Sequence, residues 1–478
     1  MKRALSRKNL WDRTPRALKS AAGMLIGWLP LESLLGRRFR SWYRFLRDAQ
    51  WWDAERIAEY QLQRLQAIIT LAYERTKYYR RVFKEVGFEP GDLKQLNDIV
   101  GLPTIDRRTI REHLDEMMTV PVRCAHIDYM STSGTGGQPL AFYIGADRTA
   151  MEFAHLAQTW SRVGYRLGAC MAVLRGNIVP ADPEGLYHAH DPLLHQHIYS
   201  SFHLTAEQMQ RYTAHMESVQ PRFLHAYPSS AWTLARFLLA NGRRFPDSLQ
   251  AILLESEPVY DHQRRFITEH FPIRVFSSYG HTEKVVLAAE CEHTLAYHVW
   301  PTYGYFELLD PQGRPVGAGA RGEIAGTGFI NRVVPFVRYR TDDHAAYRAD
   351  RCSECGRNHV LIDALHAHRS QEFLVTRDLR AIVAWTALNM HDTTFDGIEQ
   401  FQFVQRTPGE ADLYLVPSKA GPNHSLARIH LHLDAKLRGQ VRINLHVCDR
   451  IEPGLSGKRP LIKQYVKNID ALRLIYQE

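Results

Sequence analysis

Short apolar runs recur between helical stretches in the middle of the chain, at residues 170–174, 252–254 and 275–276. A run too short for a helix and flanked by helical sequence reads as a buried strand, and repeated strand–helix alternation leads to an α/β core. Upstream, residues 54–83 carry Leu62, Leu65, Ile69 and Ala72 at helical spacing, and Gly87 with Pro90-Gly91 ends that pattern. Residues 106–117 and 149–163 read as further helices. Between Tyr303 and Tyr347 the texture changes to antiparallel strands around the turn Asp310-Pro311-Gln312-Gly313. Beyond His368 comes a new alternation: strands at 401–405 and 413–416, a helix at 425–437 and a strand at 441–447. That is the pattern of a small α+β domain with its own core. A chain of 478 residues is long enough for at least two domains. The expected division is a basic N-terminal extension over 1–50, a large domain over 51–368 and a small one over 369–478.

Composition excludes more than it selects. With 45% apolar and 23% charged residues the chain reads as an ordinary globular protein. Its net charge of +9 is concentrated early, at Lys2, Arg3, Arg7, Lys8, Arg13, Arg16 and Lys19 around the apolar run 21–29. That run is too short to span a bilayer, and Pro30 and Glu32 interrupt it. A basic helix packed on the body of the protein is the expectation, with weak membrane-surface contact as the alternative. No nucleic-acid motif accompanies the charge. Six cysteines in so long a chain do not make a disulfide framework, and the expected location is cytoplasmic.

Five segments carry chemistry. Ser131-Thr132-Ser133-Gly134-Thr135-Gly136-Gly137-Gln138-Pro139 is a hydroxyl- and glycine-rich loop whose backbone N–H groups suit a polyphosphate. Glu255-Ser256-Glu257-Pro258 follows an apolar strand, as does Ser277-Ser278-Tyr279-Gly280-His281-Thr282-Glu283. Loops at strand C-termini are the usual ligand sites of open α/β sheets. There an aromatic ring can stack on a base, Thr282 can bond a phosphate oxygen, and Glu283 can hold Mg²⁺. Arg338-Tyr339-Arg340-Thr341-Asp342-Asp343 offers a carboxylate for paired sugar hydroxyls, and Gly457-Lys458 places one lysine in a glycine-containing loop near the C-terminus.

Cysteine spacing adds a separate feature. Cys352-Ser353-Glu354-Cys355-Gly356 is a knuckle that lets two thiolates meet one Zn²⁺, and Cys291 with His298 completes a closed, structural Cys₃His set, with His293 as a competing ligand. His195 and His197 also have metal-ligand spacing on a strand but are expected to be surface or core histidines.

In order and type the five segments resemble the adenylate-forming superfamily of acyl-CoA synthetases, luciferase-like enzymes and adenylation domains. The closest likeness is to phenylacetate–CoA ligases and capsular-polysaccharide-associated proteins, supported by Tyr78-Tyr79-Arg80-Arg81-Val82-Phe83 and Tyr227-Pro228-Ser229-Ser230. The resemblance runs from about Leu62 to Lys467. It implies a large α/β domain with a small β-barrel-like part, and a small mobile C-terminal domain. It assigns ATP contacts to Thr132, Ser133, Gly134, Thr135, Gly136, Gly137, Glu257, Pro258, Ser278, Tyr279, Gly280, Asp343 and Arg369. Thr282, Glu283 and Lys458 would be catalytic, with Glu283 on Mg²⁺. A zinc-binding set comparable to Cys291, His298, Cys352 and Cys355 occurs in that branch.

The implied reaction is formation of an acyl-adenylate from a carboxylic acid and ATP, then acyl transfer, by default to coenzyme A. An amine, a sugar or a carrier-protein thiol is the alternative acceptor. Two departures stand out: Gln138 replaces the phosphate-loop lysine, and the hinge reads His368-Arg369-Ser370-Gln371-Glu372, without the usual glycine and first aspartate. They motivate a rival reading, a non-catalytic nucleotide-binding protein.

Overall fold

The structure is a computed structural model, and it describes residues 31–124, 126–132, 140–177, 179–366, 373–379, 381–383, 394–395, 397–417, 426–437, 439–451 and 462–466. After a single helical turn over Leu31–Leu34, four longer helices lead: α1 (Gly36–Ala49), α2 (Ala54–Arg75), α3 (Lys77–Glu85) and α4 (Arg107–Met117). The single helix expected over 54–83 is two. Thr76 breaks it, in extended conformation, with its hydroxyl donating to Ala72 O at 2.7 Å and accepting from Tyr79 N as the cap of α3. Within the basic N-terminal stretch, α1 buries Phe39, Leu46 and Ala49, and the Phe39 ring lies 5.4 Å from that of Phe153.

The hairpin β1 (Ile127–Ser131) and β2 (Ala141–Gly145) precedes α5 (Arg148–Trp160). Then come β3 (Met171–Arg175), β4 (His188–Asp191), β5 (Gln196–Ser200), α6 (Ala206–Val219), β6 (Phe223–Ala226), α7 (Pro228–Ala240), β7 (Ala251–Leu254), α8 (Asp261–His270) and β8 (Arg274–Gly280). Strands β8, β7, β6, β3 and β5 pair in parallel, in that spatial order, with β4 antiparallel at the edge. Both faces are covered, which is why β6 and β7 are buried at every position. One face packs Leu224, Ile252 and Val275 against α6, α7 and α8, and the other packs Phe223, Leu253 and Phe276 against Trp160 and Ala157 of α5.

Antiparallel strands extend the same sheet: β9 (Leu287–Glu290), β10 (Tyr297–Val299), β11 (Gly304–Leu309), β12 (Arg321–Gly328), β13 (Tyr339–Ala349) and β14 (Leu361–His366). The twelve strands run β11-β12-β13-β14-β10-β9-β8-β7-β6-β3-β5-β4. The stretch read as a barrel-like part thus joins the large sheet edge to edge through β10 and β14, with β11 as its outer strand. Gly304 is required where β11 begins, because a Cβ there would overlap Val285 O.

Beyond this sheet lie the pair β15 (Phe373–Val375) and β16 (Ala381–Val383), then β17 (Ile398–Thr407), β18 (Glu410–Pro417), α9 (Leu426–Leu437), β19 (Arg442–Val447) and β20 (Ile462–Gln464). The last four strands form a mixed sheet in the order β19-β18-β17-β20, whose core joins Phe401, Phe403, Leu413 and Leu415 to Ile429 and Leu433 of α9. No helix of the described residues is long and apolar enough to cross a membrane.

Candidate active site

Register places Leu174, Ala226, Leu254 and Ser277 side by side across β3, β6, β7 and β8. β3, β6 and β7 stop at or within one residue of this row, so Arg175, Tyr227 and Glu255 gather at one edge, while β8 runs on to Gly280 against β9. This is where an open α/β sheet binds ligands.

The Glu283 carboxylate is the electrostatic centre of this edge. It is 2% exposed, yet three groups hold it. Tyr339 donates to its Oε1 at 2.9 Å, Arg107 Nε lies 3.9 Å from that oxygen, and His281 Nδ1 lies 3.4 Å from Oε2. Arg107 also donates to the Tyr339 hydroxyl at 3.3 Å, so α4, β13 and the loop after β8 meet on one carboxylate. Burial works against its charge, but His281, Arg107 and Tyr339 outweigh burial and hold the carboxyl well below its ordinary range. An ionised carboxylate has about four lone-pair sites, and these three contacts do not fill them. The residue therefore suits Mg²⁺, a cation that takes oxygen ligands.

Tyr279, at the end of β8, donates to Asp343 Oδ2 at 2.8 Å. Burial first, and the Asp343 charge second, push its phenol well above the usual value, so it stays a donor. Asp343 lies in β13, and the chain just before it is held at two points. The Asp343 N–H donates to Thr341 Oγ1 at 3.2 Å, and the preceding Arg338 is buried on Glu307, with its Nη2 2.9 Å from Oε1. Removing one partner of such a buried pair costs roughly 3–5 kcal/mol. Among the described residues, non-glycine positive φ angles occur at seven positions, and four of them flank this edge: Ser256, Lys284, Arg338 and Asp342. Backbone strain gathers at functional sites, and here it lies where the nucleotide contacts were expected.

Thr132 is buried and closes the base of the expected phosphate loop. Its N–H donates to Leu140 O at 2.9 Å, and its Oγ1 accepts from Leu140 N at 3.0 Å. Residues 133–139 are therefore the connection of the β1–β2 hairpin. Ser133, Gly134, Thr135, Gly136 and Gly137 lie outside the described residues, as do Gln138, Arg369 and Lys458. Phe142 of β2 ties the hairpin to the carboxylate, its ring 5.2 Å from Phe336, which is 5.3 Å from Tyr339.

Glu257 has a local role. Its carboxylate accepts from Ser229 N and Ser229 Oγ, each at 3.0 Å, and so caps α7, whose own N-cap Tyr227 supplies no side-chain bond. Beneath the same edge, Glu255 accepts from His225 Nε2 at 3.2 Å and lies 3.6 Å from Arg175 Nη1, while Arg175 donates to Ser256 Oγ at 2.8 Å. Sequence reasoning missed Arg107, Arg175 and His225, and gave Tyr339 no role although its segment was singled out. Their partners are tens to hundreds of positions away, and no local spacing marks them.

A second cluster sits in the antiparallel half. Cys291 follows β9, His298 lies on β10, and Cys352 and Cys355 lie between β13 and β14. One ligand atom from each falls within 4.8 Å of all the others. Cys291 Sγ and Cys352 Sγ are 3.9 Å apart, and Cys355 Sγ and His298 Nε2 are 3.8 Å apart. Zn–S bonds of about 2.3 Å in a tetrahedron put sulfurs roughly 3.8 Å apart, so the set fits zinc. Burial, then the Arg162 and Arg357 charges, push the His298 pKa down, which leaves a neutral imidazole ready to ligate. Gly356, at φ +81°, permits the knuckle turn, and its N–H donates to Cys352 O at 2.9 Å. His298 joins this group; the exposed His293 does not, although its N–H donates to Cys291 Sγ at 3.4 Å.

His197 meets other histidines. Burial, then His190, His188 and His215, push its pKa down to about 3. His195, at φ 53°, donates from Nδ1 to Gly168 O at 3.0 Å.

No family model matches the chain. It is 25% identical over 330 residues to the phenylacetate-coenzyme A ligase of Thermus thermophilus, covering 68% of this chain and 72% of that one. It is 22% identical over 405 residues to Protein CapK of Staphylococcus aureus, covering 84% and 88%. A solved structure of 2-hydroxyisobutyryl-CoA ligase, in complex with 2-HIB-AMP and CoA in the thioesterification state, superposes with a TM-score of 0.57 at 22% identity, over 89% of this chain and 93% of that one. The fold is that of the adenylate-forming ligases. Within that class the chain is similar to phenylacetate–coenzyme A ligases and to CapK.

Proposed function

We propose that this protein is an acid–thiol ligase that activates a carboxylic acid with ATP as an acyl-adenylate and passes the acyl group to coenzyme A. The carrying observation is the convergence of an ionised Glu283 and the Tyr279–Asp343 pair on one edge of the parallel strands, beside the hairpin that bears the phosphate loop. The named activities of the relatives and the coenzyme A ligase fold support it.

Both reactants of the first step are anions. Two unit charges ~4 Å apart repel by about 4 kcal/mol at an effective dielectric near 20. In this reading Asp343 accepts from the ribose hydroxyls, Thr282 donates to a phosphate oxygen, and the β1–β2 loop turns its N–H groups on the polyphosphate. Glu283 would hold Mg²⁺, which supplies positive charge against the phosphates. The ammonium of Lys458, delivered by the domain over 369–478, stabilises the charge that builds as carboxylate meets α-phosphate. Cys291, His298, Cys352 and Cys355 would hold a structural Zn²⁺ that clamps β9 and β10 to the β13–β14 connection, remote from the chemistry. Dependence on ATP and coenzyme A fits a cytoplasmic location.

Pyrophosphate release across a panel of carboxylic acids, with and without coenzyme A, tests the proposal. Acid-dependent release that becomes multi-turnover with coenzyme A is the expected result. Nucleotide binding with no release for any acid would return the protein to the non-catalytic reading.

A further inference from the structure

The outer end of the parallel half holds histidines that acid activation does not use. In the β4–β5 register His190 lies opposite His197 and His188 opposite Tyr199, so all four side chains share one face of the sheet. Helix α6 brings His215 to them, with Tyr199 Oη 2.7 Å from His215 Nδ1. The His188 and His215 ring centroids are 4.2 Å apart, and those of His197 and His215 are 5.5 Å apart. One nitrogen each from His188, His197 and His215 falls within 4.8 Å of the other two. His188 Nε2 and His197 Nδ1 are already 3.1 Å apart.

We propose that His188, His197 and His215 form a second metal site, which takes a divalent transition ion of the zinc, cobalt, nickel and copper class. With Zn–N bonds of about 2.0–2.1 Å, a tetrahedron sets its nitrogens roughly 3.4 Å apart, so the first pair needs little adjustment. Tyr199 occupies His215 Nδ1 and leaves Nε2 as the ligating atom, the orienting arrangement that metal-bound histidines have. Imidazole nitrogens without a carboxylate select these ions over Mg²⁺ or Ca²⁺. Three protein ligands leave a fourth position for water, in contrast to the closed Cys₃His set. Cys170, His195 and His197 form an overlapping trio. Its other two members are engaged elsewhere, Cys170 Sγ donating to Val219 O at 3.6 Å and His195 to Gly168 O.

The test uses the full chain, loaded with Zn²⁺ and dialysed, and measures metal per chain in the parent, His197→Gln, His215→Gln and Cys170→Ser proteins. The parent and Cys170→Ser are expected to hold one equivalent more than either histidine variant. The difference does not depend on what the cysteine cluster binds. Equal metal in the parent and both histidine variants overturns the site, as does loss in Cys170→Ser with His215→Gln unaffected. Titration of the parent with Co²⁺ guards against misfolded variants: ligand-field bands of a nitrogen-ligated ion should appear as a separate increment beside any thiolate charge-transfer band from the cysteine cluster, and the absence of that increment counts against the site. Tyr199→Phe keeps all three ligands and should weaken Co²⁺ binding about 10–100-fold. Unchanged affinity would overturn the orienting role of Tyr199.

Discussion

The two buried polar clusters of the large sheet are built on opposite plans. Around Glu283 the groups are chained through protein bonds: Arg107 donates to Tyr339, Tyr339 to Glu283, and Tyr279 to Asp343. Around Cys291 the groups converge on one another, and His298 Nδ1 is buried with no hydrogen-bond partner. The four converging ligand atoms approach one another, at 3.8–3.9 Å in two pairs, so a cation would complete the second cluster, whereas the first is already linked through direct hydrogen bonds. In the proposed function the first exchanges its ligand at every turnover. The second suits an ion that enters once.

The largest effect should come from the C-terminal lysine that the proposed function makes catalytic. Lys458→Ala is expected to lower ATP–pyrophosphate exchange by about 10²–10³-fold, the usual loss when one positioned donor is taken from a transition-state site. Its thermal stability should match the parent. Exchange at the parental rate would remove Lys458 from the chemistry.

Glu283→Gln comes next, with a loss of exchange near ~10²-fold, and it tests whether the self-satisfied cluster needs its charge. Its pH dependence has a definite sign. The folded carboxyl titrates below its unfolded value, so its stabilising contribution is fully present above the ordinary glutamate range and is lost only as pH falls beneath it. The acid limb of the pH–rate profile should therefore not belong to Glu283, and the limb should persist in Glu283→Gln. A limb that vanishes in the variant would contradict the electrostatic account.

Cys352→Ser breaks the other side of the comparison. Loss of a structural ion should reduce bound zinc by one equivalent and lower Tm by roughly 1–2 °C for each kcal/mol removed, since a large domain shifts less than a small one. Turnover per folded molecule should hardly change. Metal content and melting temperature equal to the parent would mean that the thiols are satisfied without an ion.

What could be read from the chain differs between the clusters for a physical reason. Cys352 and Cys355 are three residues apart because one knuckle must present two sulfurs, so local spacing reveals them. Glu283 is legible at the end of a strand-like segment and Asp343 in its Arg/Asp-rich segment, but Arg107 is not. It reaches Glu283 only because Asp106 caps α4 with an acceptor for Thr109 N, and because Ile105 N donates to Arg338 O across more than two hundred residues. The α/β alternation was legible because buried parallel strands must be apolar at every position. The continuity of the antiparallel strands with that sheet was not, since it rests on the two short pairings of β10. Glu257 shows the converse: its segment was recognisable, while the work of its carboxylate, capping α7, depends on a turn nearly thirty residues earlier.

The smallest predicted effect is the most discriminating for the nucleotide site. Tyr279→Phe keeps the ring, and with it any stacking on a base, but removes the donor that holds Asp343 Oδ2. One such bond contributes about 1 kcal/mol, a factor of roughly five. If Asp343 binds ribose, the loss should appear as a higher KM for ATP with little change in kcat, because a misplaced carboxylate weakens ground state and transition state alike. A matching fall in kcat with unchanged KM would instead tie the Tyr279–Asp343 pair to the chemical step. The same substitution should leave zinc content untouched, because the pair and the cysteine cluster share no bond.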